Sequence, residues 1–294
     1  MIIADKDSNS TKKIIPVDLH CHSTNSDGAF SVHDLLDLAK NNGGKYLALT
    51  DHDTLSGIAE ARSYAKEIGL ELISGVEISV TWNNSLVHII GLNINENDET
   101  LVTNLHNLQN GRITRGEKIA AKLAKIGIPD AFVGAMKYCS NPQALSRTHF
   151  IRFLSENGHA KASRAFDKYL APGKPAYVAH EWASLENAVK WITNSGGIAV
   201  IAHPCRYKFT RTKLLKLISD FKQYGGIGIE VVSSSHSLDD ALSIARIAKE
   251  CDLFASIGSD FHNTTNNFAK SSVGINHPLP DNCTPIYSKL GITL

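Results

Sequence analysis

The chain has 294 residues, 43% of them hydrophobic, with 30 Lys and Arg against 29 Asp and Glu for a formal charge of +1. That is apolar material for one large core, or one core and a smaller attachment, and the near-neutral total argues neither for nor against an anionic partner. The opening residues turn polar within five positions and lack the apolar core of a secretion signal, no apolar run approaches the length of a membrane span, and five cysteines without paired short spacing fit a reducing cytoplasm better than a disulfide framework, so a soluble, cytoplasmic protein is expected.

Seven short β-branched or aliphatic runs are predicted as strands: 14–19, 46–49, 71–73, 86–90, 197–201, 228–232 and 253–257. Between the first two, Ser31 caps a helix whose Val32, Leu35, Leu36, Leu38 and Ala39 form one stripe ending at Gly43-Gly44. A second helix is expected over 54–68, closed by Gly69, and a third over 238–251. Strand and helix alternate as in βα units around a parallel sheet or barrel, and in such barrels the working groups stand at the C-terminal ends of strands.

Residues 101–180 break the alternation. They read as helical, with Ile119, Leu123 and Ile126 on one face, and they carry twelve Lys or Arg against four acids, a local charge of +8. The remainder is therefore about −7. The expected organisation is an acidic α/β barrel in two parts, 1–100 and 181–294, interrupted by a basic helical cover at 101–180.

Nine metal-type side chains lie mostly where the apolar runs end: His20, His22, Asp27, His52, Glu77, His88, His203, Asp260 and His262. His88 is the exception, falling inside its run. In a strand, residues two apart face the same way, so His20 and His22 point together while Cys21 turns into packing; Asp260 and His262 repeat the step around Phe261. Imidazole and carboxylate without thiolate suit manganese, iron or zinc. Nine donors exceed one ion's need and suit two or three divalent ions, Mn2+ first with Zn2+ or Fe2+ as alternatives, in a site for phosphate-ester hydrolysis.

The segments Asp-Leu-His-Cys-His-Ser-Thr-Asn-Ser-Asp-Gly (18–28), Leu-Thr-Asp-His-Asp-Thr (49–54), Gly-Val-Glu-Ile-Ser (75–79), Val-His-Ile-Ile-Gly (87–91), Ala-His-Pro (202–204) and Gly-Ser-Asp-Phe-His (258–262) resemble the polymerase and histidinol phosphatase (PHP) superfamily. Ser-Arg-Thr-His-Phe at 146–150 points, within it, to the stand-alone bacterial branch that contains RNase AM and the 3′,5′-nucleoside bisphosphate phosphatase. The resemblance implies a distorted seven-stranded (βα)7 barrel with a trinuclear site. By that analogy His20, His22, Glu77 and Asp260 hold one ion, Glu77, His88 and His203 a second, and Asp27, His52 and His262 a third, with Glu77 as bridge.

Arg147, at the start of a helix closed by Gly158, is the expected phosphate clamp, because its fork and the free first-turn amides both favour an anion. His149, Lys174, Tyr177 and His236 are further candidates for substrate contact, each weighed against capping, surface or packing roles. Asp18 is expected to orient His20, and Asp53 to cap the following helix. His33, His106, His159, His180 and His277 read as surface or packing residues. The expected catalytic residues are Glu77, Arg147 and His262, acting on a nucleotide or short 5′-phosphorylated single-stranded RNA, with a ribose 3′-hydroxyl as leaving group. Three rivals remain: a histidinol-phosphate-type phosphatase, which gives no reason for the basic cover; an amidohydrolase, which would want a strand-end lysine; and a binding module such as rides on a polymerase, for which no further domain is expected here. The oligomeric state is not readable.

Overall fold

The computed structural model describes residues 14–180, 182–264 and 272–294. Each predicted run overlaps a strand, the first of them starting three residues too early: β1 (Val17–Cys21), β2 (Tyr46–Leu49), β3 (Glu71–Trp82), β4 (Ser85–Leu92), and then, after β5 (Ala183–Ser184), β6 (Ile198–Ile201), β7 (Gly228–Val232) and β8 (Phe254–Ile257). β5 and β9 (Thr284–Pro285) are two-residue additions that the sequence did not announce. The order across the sheet is β1-β2-β3-β4-β6-β7-β8-β9, with β5 beside the far half of β3.

The sheet is mixed, and here the expected all-parallel repeat is corrected. β4 runs antiparallel to both β3 and β6, whereas β1–β2–β3 and β6–β7–β8–β9 are parallel. The cause is a hairpin. Trp82 pairs with Ser85 across a two-residue loop, Asn83-Asn84, whose φ angles of 44° and 58° are those of a type I′ turn. The run read as 71–73 therefore continues for twelve residues through Ser74-Gly75. Gly75 permits this, since a Cβ there would lie 2.7 Å from Thr50 Cγ2 and 2.9 Å from the Leu49 carbonyl oxygen. The sheet also curls: Asp260 N–H donates to the His20 carbonyl at 2.7 Å and His22 N–H to the Phe261 carbonyl at 3.0 Å, so the segment after β8 meets the end of β1.

α1 (Val32–Asn41), capped by Ser31, and α2 (Ile58–Ile68) cover β1 and β2 through Leu35, Leu36, Ala61 and Ala65. α2 starts four residues later than expected, at Ile58, behind Gly57, which gives no side-chain cap. Asp53 is drawn elsewhere, as described below. From β4 the chain passes into α3 (Glu99–Lys125), 27 residues long, then α4 (Ala131–Met136), α5 (Arg147–Glu156) and α6 (Ala162–Ala165). Leu101 and Leu105, in the first turns of α3, pack in the main core with Val76, Val80 and Val189. Ile119 and Leu123, in its last two turns, belong to a separate core with Phe150, Phe153, Leu154 and Leu170. α3 thus joins two cores along one rod. Ile126, expected on the buried face, is the helix's terminal cap and is exposed. α7 (Leu185–Asn194), α8 (Arg211–Gln223) and α9 (Leu238–Glu250) return the chain to the sheet and cover β6, β7 and β8. Among the described residues no helix is long and apolar enough to cross a membrane.

Candidate metal centre

The curl brings nine side chains from distant parts of the chain to one place. His20 Nε2 stands 3.1 Å from His22 Nε2, 3.2 Å from Glu77 Oε2 and 3.4 Å from Asp260 Oδ1, and His22 Nε2 is 3.2 and 3.3 Å from the same two carboxylates. Glu77 Oε1, the other oxygen, faces His88 Nδ1 and His203 Nε2, both at 2.9 Å. His52 Nδ1 lies 3.0 Å from Glu77 Oε2, while its Nε2, with His262 Nε2, turns to Asp27 Oδ1 at 3.8 and 3.3 Å. Glu77 therefore stands between two groups of imidazoles, one on each oxygen. It does so from the middle of β3, and His88 from the middle of β4, not from strand ends as expected for Glu77; the hairpin carries both inward.

Several of these atoms are buried with no hydrogen-bond partner among the described residues: Asp27 Oδ1, Glu77 Oε2 and His52 Nδ1. Neighbours approach them at ion-pair distance but outside hydrogen-bond geometry. A buried polar atom left so is costly, and cations would satisfy all three at once. The donor set of six imidazoles and three carboxylates fits borderline divalent ions. Three overlapping groups have donor atoms within 4.8 Å of one another: His20, His22, Glu77 and Asp260; His22, Asp27, His52 and His262; and His52, Glu77 and His88.

Electrostatics follow from the packing. Burial alone would raise the carboxylates, but His52, His20 and His88 hold Glu77 well below its ordinary range, and His262 and His52 do the same for Asp27. For Asp260 the opposing charges are Arg206 and His20. Burial would lower His22, yet its bonds to Asp260 and Glu77 lift it to about 9. In His203 burial prevails, reinforced by Arg206, and the value falls to about 4.

Supporting contacts fix the ring orientations. Glu230, fully buried in β7, places Oε1 3.1 Å from His20 Nδ1 and accepts the His203 backbone N–H on Oε2 at 2.6 Å. His20 is thereby left with Nε2 facing the cluster. His262 Nδ1 donates to the Asp260 carbonyl at 2.9 Å, freeing its Nε2. Asp18, expected to orient the His20 ring, instead accepts backbone N–H groups of His20, Ser259 and Gly274. Asp51 holds the loop after β1 through Ser23 and Ser26. Asp53, at φ 52°, accepts Ser79 N–H at 2.7 Å and pairs with Arg112 of α3, which is why it does not cap α2.

A cleft of about 1220 Å³ opens beside the cluster. His88, His203, Arg206 and Tyr207 line it from the sheet side, and Arg115, Arg147, Phe166, Tyr177, His180 and Trp182 from the helical segment and the strand that follows. Of the substrate candidates, Arg147 and Tyr177 face this space. His149 does not: its Nδ1 accepts the Ser146 N–H at 3.0 Å, reciprocating the Ser146 cap, and burial drops it to about 4. Lys174 is exposed and outside the lining, and His236 donates to the Val231 carbonyl at 2.9 Å, also outside it. His180, read as a surface or packing residue, is in the lining. Sequence reasoning missed Glu230 and Arg206, and it took Arg115 for part of a solvated basic face, whereas that residue is buried. A lone carboxylate inside the apolar Gly-Ile-Glu-Val-Val run was the available signal for the first; for Arg206, which reaches Asp260 from 54 positions away, there was none.

Residues 18–231 match the PHP domain family. The chain is 47% identical to a 3′,5′-nucleoside bisphosphate phosphatase of Chromobacterium violaceum over 93% of its length and 96% of that protein's. It is 42% identical to a 5′-3′ exoribonuclease of Haemophilus influenzae, covering 92% of this chain and 98% of that one. A solved structure described as an amidohydrolase from Chromobacterium violaceum, with bound sulfate and no metal, superposes with a TM-score of 0.91 at 46% identity, over 94% of this chain and 96% of that one. With that match spanning β1 to β7, and relatives this similar over nearly the whole length, the chain belongs to the PHP domain family.

Proposed function

We propose that this protein is a metal-dependent phosphoesterase that removes the 3′-phosphate of 3′,5′-nucleoside bisphosphates, releases nucleotides from the 5′ end of short 5′-phosphorylated RNA, or does both. The observation that carries the reading is the cleft itself, with the nine-residue donor cluster meeting one wall and arginines and aromatic rings on the other. Two or three divalent ions, Mn2+ with Zn2+ or Fe2+ as alternatives, would be held by His20, His22, Asp27, His52, Glu77, His88, His203, Asp260 and His262. When bound, they would polarise the phosphoryl oxygens and lower the pKa of the attacking water. Glu77 shares its two oxygens between two donor groups, and His262 presents Nε2 because its Nδ1 is tied to the backbone. Arg147 orients phosphate from the helical wall, and Phe166, Tyr177 and Trp182 offer apolar faces to a base.

In this reading the sheet is a distorted seven-stranded barrel formed by 1–100 and 181–294, and 101–180 is its cover. The second core supports that division, as does the +8 charge of the cover over an acidic remainder. Manganese-loaded protein is expected to release phosphate from adenosine 3′,5′-bisphosphate or mononucleotides from 5′-phosphorylated oligoribonucleotide. Glu77→Gln and chelation should each abolish this. Loss of neither, or no turnover of either substrate, would overturn the reading.

A further inference from the structure

Asp27 differs from the other donors of the cluster in what holds it. His20, Glu77 and His88 lie inside strands. His52 pairs with Glu77 through an isolated bridge, His22 N–H donates to the Phe261 carbonyl, and Asp260 N–H donates to the His20 carbonyl. Asp27 stands instead in the turn at 24–27, between β1 and α1. Its two carboxylate oxygens have separate surroundings. Oδ2 accepts the Ser146 hydroxyl at 3.2 Å and the Thr148 hydroxyl at 3.0 Å, from the N-cap and the second residue of α5. Oδ1 faces His262 Nε2 at 3.3 Å and His52 Nε2 at 3.8 Å, and it is buried with no hydrogen-bond partner among the described residues.

Among the described residues, Asp27 is the one donor of the nine that a side chain of 101–180 hydrogen-bonds. A third tie reaches the same turn, since Asn141 Nδ2 donates to the Asn25 carbonyl at 3.1 Å. α5 is anchored elsewhere: Phe150, Phe153 and Leu154 are buried in the second core and not in that of the sheet. The carboxylate is thus held between the two cores, with its imidazole neighbours on the sheet and its hydroxyl donors on the helical segment. A carboxylate at the start of a helix also meets the positive end of the dipole, and His149 locks that start by accepting the Ser146 N–H. Rotation about its two side-chain bonds would leave a free aspartate several orientations. Two hydroxyls on one oxygen select the orientation that turns the other oxygen to His52 and His262.

We infer that Ser146 and Thr148 are positioning residues for an ion held by Asp27, His52 and His262, which makes that ion site a joint property of the sheet and the helical segment. The inference rests on the metal assignment proposed above. It adds that this ion, unlike those held around Glu77, is bound only while α5 is docked against the turn that carries Asp27. The dependence is reciprocal, so an ion that needs α5 in place also holds α5 in place.

Thr148→Val keeps the shape of the side chain and removes its hydroxyl, and Ser146→Gly removes the other with little loss of N-cap stability. Titration of chelator-treated protein with Mn2+ is expected to show one class of ion weakened about 10–100-fold in each variant, with the remaining binding as in wild type. Asp27→Asn should weaken that same class. Thr148→Ser, which retains a hydroxyl, should bind like wild type. Mn2+ should also slow hydrogen exchange of the α5 amides in wild type and not in Thr148→Val, a response that a merely structural threonine would not give. Equal Mn2+ binding by wild type and both hydroxyl variants overturns the positioning role, as does a uniform weakening of every class. Wild type that takes up no Mn2+ sinks the metal assignment and this inference together. Ion binding that follows the expected pattern, in a protein that turns over neither proposed substrate, keeps the inference and sinks only the phosphoesterase reading.

Discussion

Glu230 reaches two residues of the candidate metal centre with its two oxygens, His20 through the ring Nδ1 at 3.1 Å and His203 through the backbone N–H at 2.6 Å. It is a positioning residue, because it touches the imidazole that faces the cluster and not the cluster itself. Glu230→Gln keeps the shape but puts an amide donor against one of two donors. Removing such outer contacts typically weakens metal binding 10–100-fold. Titration calorimetry with Mn2+ should show a loss of about that size in the variant, and an unchanged affinity would deny the role.

The Asp53–Arg112 pair is buried at both ends and joins α3 to the loop that carries His52. Asn is tolerated at a φ of 52°, so Asp53→Asn isolates the charge from the backbone. Stranding Arg112 in this way is expected to cost about 3–5 kcal/mol, read by urea unfolding of the chelated protein. Adding Arg112→Met should return a large part of the loss. A double variant no more stable than Asp53→Asn alone would show that the pair is not coupled.

His149 supplies a pH signature. Its folded value of about 4 lies below the 6.5 of an unfolded histidine, so the unfolded chain takes up the proton first as pH falls. The contribution is therefore fully present above about pH 6.5 and disappears on the way down to about pH 4, a total on the order of 3 kcal/mol. In chelator, the wild type should lose more stability than His149→Asn across that window. Parallel pH curves for the two would contradict the buried, neutral assignment.

Divalent ions are expected to stabilise the fold by mass action, by about 3 kcal/mol for each ion present at a hundred times its Kd. Thermal melts with and without chelator, at rising Mn2+, should move the midpoint upward with concentration. A midpoint indifferent to Mn2+ would mean that the unpartnered oxygens of Asp27 and Glu77 do not receive a cation.

Much of the architecture could be read before the coordinates because local chemistry announced it. β2 and β7 have the bounds their apolar runs suggested, and Ser31 caps α1 where a helix start was expected. What escaped depends on partners remote in sequence. The β3–β4 hairpin was hidden because Ser74-Gly75 looks like a strand end, and only the contact of Gly75 with Thr50 and Leu49 explains why the strand goes on. His149 resembled a ligand-facing residue; its capping role is played in place of the usual Glu or Gln. Glu230 and Arg206 acquire meaning only when β7 and the Pro204 turn are folded against His20 and Asp260.

The donors of this centre are drawn from residue 20 to residue 262 and from both halves of the sheet, and the join between them is the pair of backbone bonds linking His20 and His22 to Asp260 and Phe261. A growing polypeptide on the ribosome thus cannot assemble the two donor groups that contain Asp260 or His262 until those residues have emerged and that seam has closed. Completion of those two groups is consequently a late event of biosynthesis, since a translation product that stops short of residue 260 carries most of the histidines and lacks the two donors that close them.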